Sequence, residues 1–155
     1  RIIGNVVYQK ALIKGDDGAD YEVLSLGPIS VLPEYQKQGV GGKMIEYSKN
    51  IAREMGFRAI LLCGDPDYYG RQGFVPAETM GIRTSDNMYA AALHVCELNE
   101  GSLANVKGRY FEDAVYEIDE TASAEFDKRF PHKELVTGTP MQKRFEQVAA
   151  MRREA

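Results

Sequence analysis

Apolar residues follow a strand-like pattern at the start of the chain. Ile2, Ile3, Val6, Val7, Tyr8 and Ile13 are β-branched or aromatic, and a second apolar stretch runs from Tyr21 to Val31. Gly15-Asp16-Asp17-Gly18 between them is a turn signal, so the pair predicts an antiparallel hairpin, with Gly4 marking a bulge or a close approach. Because Ile2 and Ile3 come at once, further residues are expected before Arg1. The period then changes to three and four: Met44, Ile45, Ser48, Ile51 and Ala52 predict a helix that begins near Lys43 and stops at Met55-Gly56. Phe57 to Cys63 reads as the next strand, parallel to the previous one through a right-handed crossover. Asp65 caps a short helix with Pro66 at its first position and Gly73 at its end. Residues 76–88 read as a loop, and Tyr89–Leu98 and Gly108–Ile118 as strands. Thr121–Phe130 reads as a helix, and Thr139-Pro140-Met141-Gln142 as a capping box opening a last helix to about Met151.

Composition narrows the class. At 155 residues, with 44% hydrophobic and 27% charged positions, one globular core over residues 1–155 is the expectation. The net charge of −4 argues against a general nucleic-acid-binding surface. No apolar run approaches the roughly 20 residues that span a bilayer. Cys63 and Cys96 stand far apart with no metal-ligand or redox spacing, which predicts buried, reduced thiols, a cytoplasmic protein and no metal.

The candidate chemistry lies between Leu26 and Lys43. An apolar strand enters a polar turn containing Pro33, and Gly39, Gly41 and Gly42 then open a helix. Such a junction suits an anion, because glycine leaves the backbone approachable and the first helical amides have no internal partner. Two known phosphate cradles are excluded. A P-loop would need glycine where Lys37 stands and a hydroxyl where Met44 stands, and the glycine spacing is wrong for a dinucleotide fingerprint. The plain alternative is a tight strand-to-helix turn with no ligand.

Val31-x-Pro33-x-x-Gln36-x-x-Gly39-x-Gly41 resembles the Q/R-x-x-G-x-G/A motif of the GNAT superfamily of N-acetyltransferases, and Tyr69-x-x-x-Gly73-Phe74 resembles its Y-x-x-x-G-F segment. The two stand in the family's order with a helix and a strand between them, and the resemblance covers Ile2 to Phe74. The second half, through Leu98-Asn99-Glu100-Gly101-Ser102-Leu103 and Phe126–Pro131, is similar to a bacterial branch of these enzymes.

The resemblance implies a mixed α/β fold, in which a mostly antiparallel sheet has two splayed parallel strands and flanking helices, with the family's first strand and helices expected before Arg1. It implies acetyl-coenzyme A as acyl donor. The pantetheine arm would pair with Ile29, Ser30 and Val31, and Gln36 belongs to the motif. The amides of Gln38, Gly39, Val40, Gly41, Gly42 and Lys43 would wrap the pyrophosphate. The acceptor would be a primary amine on a small molecule or peptide, taken by a monomer or homodimer. The amine would attack the thioester directly, through a tetrahedral intermediate, with Tyr69 as general acid to the leaving thiolate. Tyr68 is one residue off and points about 100° away on a helix. Where some members carry a basic glutamate this chain has Ser25, and Glu22 falls on the other face of the strand. The general base is therefore unassigned, and a non-catalytic acyl-coenzyme A sensor is the alternative. His94 and His132 have no motif context, Lys37 reads as a solvated charge, and Cys63 as core.

Overall fold

The computed structural model describes residues 1–155. Strand β1 (Gly4–Gly15) and strand β2 (Asp20–Val31) form the predicted antiparallel hairpin, with a register shift between Val6 and Tyr8. The bulge is thus at this shift, and Gly4 is a close approach: a Cβ there would lie 2.8 Å from the Ser30 carbonyl oxygen.

Helix α1 (Val40–Glu54) begins three residues before the predicted Lys43 start. Gly39 is its N-cap in a left-handed conformation (φ 80°), so two of the three glycines lie inside the first turn. The periodicity missed this because glycine has no side chain to register a face. Strand β3 (Ala59–Cys63) follows, and the short helix α2 (Pro66–Tyr69) is capped by the Asp65 carboxylate, which accepts from the Asp67 amide.

Beyond Gly73 the sequence reading was coarser. The stretch read as a loop contains strand β4 (Val75–Pro76), a 3-10 turn at Ala77–Met80 and strand β5 (Ile82–Arg83). Tyr89–Leu98 is divided into strand β6 (Met88–Ala90) and strand β7 (Leu93–Glu97). Gly108–Ile118 holds strand β8 (Gly108–Phe111) and a 3-10 turn at Ala114–Tyr116. Helix α3 (Glu120–Asp127) and helix α4 (Pro140–Ala150) stand close to the expected places, and α4 has the predicted capping box. Strand β9 (Arg152–Glu154), which pairs with β6, has no hydrophobic pattern to announce it.

Seven strands form one curled sheet in the order β4-β7-β3-β2-β1-β8-β5, mostly antiparallel, with β2 parallel to β3 and β5 parallel to β8. One face carries Ala11, Ile13, Val23, Leu61, Val95 and Tyr110; the other packs Leu24, Leu26, Ile60 and Leu62 against Ile45 and Ala52 of α1. Burial of these aliphatic chains, about 1.5–3 kcal/mol each, holds α1 on the sheet. Residues 117–137 contribute nothing to either core and are exposed throughout. No helix is long and apolar enough to cross a membrane.

Candidate functional site

The β2–β3 ladder contains two register pairs, Leu24–Ile60 and Ser25–Leu61. Past Ser25 the strands part, and the β3-facing edge of β2 is open from Leu26 to Val31, while its other edge stays paired to β1. Ile29, Ser30 and Val31 therefore line one arm of a V whose apex is Ser25. The Ser30 hydroxyl donates to Asn5 Oδ1 (2.5 Å), which ties it to β1.

The helix α1 terminus sits at the open end. Gln36 Nε2 donates to the Val31 carbonyl (2.9 Å) and Gln38 Nε2 to the Glu34 carbonyl (2.8 Å), so both glutamine side chains fold the turn back on itself. Val40, Gly41 and Gly42 are the first three helical residues, whose amides have no helical acceptor. The Lys43 amide differs from the other cradle positions: it already donates to the Gly39 carbonyl at 3.0 Å and closes the first helical bond. An anion at this end would meet free N–H groups and the positive end of a 15-residue helix.

Sequence spacing did not bring Tyr68 to the site, but the fold does. A Cβ on Gly41 would lie 2.7 Å from the Tyr68 hydroxyl, so Tyr68 rests against the first turn of α1 at the mouth of the cradle. Its ring meets that of Tyr69 edge-on at 4.9 Å, and Tyr69 in turn packs against Phe74 at 5.8 Å. Tyr69 reaches over the end of β3 because Gly64 has no side chain to obstruct its ring. The Tyr69 hydroxyl has no partner within the protein, and burial, with smaller contributions from Tyr68 and Tyr8, raises its pKa above the ordinary tyrosine value. It therefore keeps its proton at neutral pH, as a proton donor must.

Lys49 on α1 is 6% exposed. Its ammonium donates to the Gln72 carbonyl and lies 4.9 Å above the Phe74 ring, which clamps α1 to the turn behind Tyr69. The sequence signal for this was a lysine on the apolar face of α1, four residues after Ile45. Arg144 of α4 adds an outer tie through ion pairs to Asp65 (3.3 Å) and Asp67 (3.0 Å), holding the Asp65 carboxyl below its usual range.

Glu22 is on the face opposite Ser25 and pairs with Lys10 (3.1 Å). Cys63 does not join the core as expected. It is the last residue of β3, where the strand leaves the sheet, and is exposed; Cys96 is half-buried. His94 is buried, with Nδ1 2.8 Å from the Ala92 carbonyl. No three His, Cys, Asp or Glu side chains gather as a metal site would require.

Residues 3–75 match the acetyltransferase (GNAT) family. The chain is 34% identical over 76 residues to the uncharacterized N-acetyltransferase YjhQ of Escherichia coli K12, covering 49% of this chain and 41% of that protein. It is 26% identical over 108 residues to the uncharacterized N-acetyltransferase YhbS of the same strain, covering 70% and 63%. The chain thus spans between about two fifths and two thirds of these relatives. The crystal structure of Escherichia coli YhbS in complex with CoA shares the fold (TM-score 0.68, 24% identity, 76% of this chain and 63% of that one). A GNAT family acetyltransferase from Brucella melitensis in complex with acetyl-CoA superposes with a TM-score of 0.56 at 27% identity, covering 75% and 62%. Through residues 3–75, just under half of its length, the chain is similar to the GNAT family, and its fold is that of these acetyltransferases.

Proposed function

We propose that this protein is an N-acetyltransferase that moves the acetyl group of acetyl-coenzyme A onto a primary amine. The observation that carries the reading is the V itself: β2 and β3 part after Ser25 and open toward the free amides of α1. Relatives whose structures hold CoA and acetyl-CoA support the choice of ligand. The open edge at Ile29, Ser30 and Val31 fits an amide-bearing arm, and the Gly39–Gly42 amides fit a pyrophosphate. Each charge-assisted bond contributes about 1.5–3 kcal/mol. Tyr69 is the general acid. Its hydroxyl is free, half-buried and held protonated, and it gives its proton to the thiolate that leaves when the amine attacks the thioester. Residues 1–155 act as one domain, supported by two hydrophobic clusters on the two faces of one sheet.

Ser25, in place of a carboxylate at the apex, favours a second reading as an acyl-coenzyme A sensor. Calorimetric titration with acetyl-coenzyme A, followed by a thiol-release assay over a panel of primary amines, separates them. The transferase reading expects saturable binding and amine-dependent release. Binding without release supports the sensor, and no binding overturns both.

A further inference from the structure

Between β8 and α4 the chain leaves the body of the protein as an arm and then returns to it. Tyr116 ties the departure to the sheet, donating from its hydroxyl to the Gly27 carbonyl of β2 (2.8 Å). From there to residue 137 every position is exposed, yet the arm has local structure. Asp119 caps α3 by accepting from the Ala122 amide, and the rings of Phe126 and Phe130 meet at 5.3 Å with the Arg129 guanidinium over Phe126. A helix of eight residues is marginal in water by itself, so this one calls for a second surface.

The arm is apolar where solvent should favour polar residues. Val115, Ile118, Phe126, Phe130, Leu135 (94% exposed) and Val136 are all exposed along it, and residues 117–137 give no side chain to either core. Single exposed apolar residues are ordinary, but a run of large ones on one segment marks an interaction surface. Charge along the arm is sorted as well. Residues 117–127 hold Glu117, Asp119, Glu120, Glu125 and Asp127 and no Lys or Arg, whereas residues 128–133 hold Lys128, Arg129 and Lys133 and no carboxylate. The sign changes between Phe126 and Phe130.

That order of charges selects the partner. A basic peptide is repelled by the 128–133 half, and an anionic membrane or nucleic acid by the 117–127 half. A surface with both signs in the reverse order satisfies both halves, and the same arm of a second copy, turned antiparallel about a two-fold axis near Asp127 and Lys128, has that order. We propose that residues 115–137 are the docking surface for a second copy of this chain, paired arm to arm. The acidic half of each copy lies on the basic half of the other, and the Phe126–Phe130 pair meets its own counterpart at the axis. Ile118 and the Leu135–Val136 pair, from opposite ends of the arm, then meet across the interface. A stable interface takes about 20–30 residues a side, which this arm supplies. The pairing does not depend on the transferase reading.

Sedimentation velocity of the full-length protein from about 1 to about 100 μM tests this. Monomer should pass reversibly to dimer over that range, and the dimer should weaken severalfold when salt rises from about 0.05 to about 0.5 M. Phe126→Ser with Phe130→Ser should weaken it about tenfold or more. Lys128→Glu with Arg129→Glu should weaken it too, as should Glu125→Lys with Asp127→Lys, and an equimolar mixture of these two charge variants should recover the dimer. Since none of these side chains belongs to either core, each variant at the lowest concentration should melt within about 2 °C of the wild type, so a lost dimer is not a lost fold. A wild type that stays monomeric at every concentration overturns the proposal, including one that binds phosphatidylserine vesicles or polylysine instead. So does a dimer that all three variants leave intact, or a mixture as monomeric as its parts.

Discussion

The two sides of the V are built in different ways. The side next to α1 comes from one contiguous stretch, Leu26–Lys43, and from α2, about two dozen residues further on. Nearly all of it is local turn chemistry: a left-handed Gly39, an Asp65 cap and a glycine-terminated turn before Phe74. The other side joins Val23 of β2 to Tyr110 of β8 through two strand pairings, β2 with β1 and β1 with β8. The cradle is a compact motif, whereas the other face exists only once the whole sheet has paired.

Four substitutions sharpen or break that contrast. Tyr69→Phe should have the largest effect, lowering kcat about 10²–10⁴-fold while leaving acetyl-coenzyme A affinity nearly unchanged, as steady-state kinetics and calorimetry would read. Unchanged kcat would remove Tyr69 from the chemistry. Gly41→Val should come next. Its Cβ would meet the Tyr68 hydroxyl at 2.7 Å and crowd the first free amides, so acetyl-coenzyme A affinity should fall about tenfold or more, with little change in kcat at saturation.

Lys49→Ala acts on the support of Tyr69. It leaves the Gln72 carbonyl without its buried donor, and urea unfolding should show a loss of about 1–3 kcal/mol. The smallest effect belongs to the outer tie. Arg144 lowers the Asp65 pKa, so the stability it lends is present above the unfolded value of about 3.9 and is lost as pH falls through the folded one. The gap in melting temperature between wild type and Asp65→Asn, small because the pair is about one-third exposed to screening solvent, should close below about pH 4.

Legibility in the sequence follows the same divide. The hairpin, α1, β3 and the Asp65-capped turn were readable because alternation, a 3.6-residue period and glycine or proline punctuation act over a few residues. Cys63 misled because an apolar strand pattern does not show where the strand runs out into the open. Tyr68 and Lys49 were underrated since their roles depend on contacts with Gly41 and Gln72 made only in the folded chain. Tyr110 was readable as a strand residue, but its place in the core beside Val23 of β2 was not. Strands as short as β4, β5 and β9 escape periodicity, being two or three residues long.

The central claim, that the V and the α1 terminus form an acetyl-coenzyme A site, is tested most directly by calorimetric titration of acetyl-coenzyme A into the wild-type protein and Gly41→Val side by side. The account predicts saturable one-to-one binding by the wild type and affinity at least tenfold weaker in the variant. Equal affinity in the two proteins, or no binding by the wild type, would contradict it.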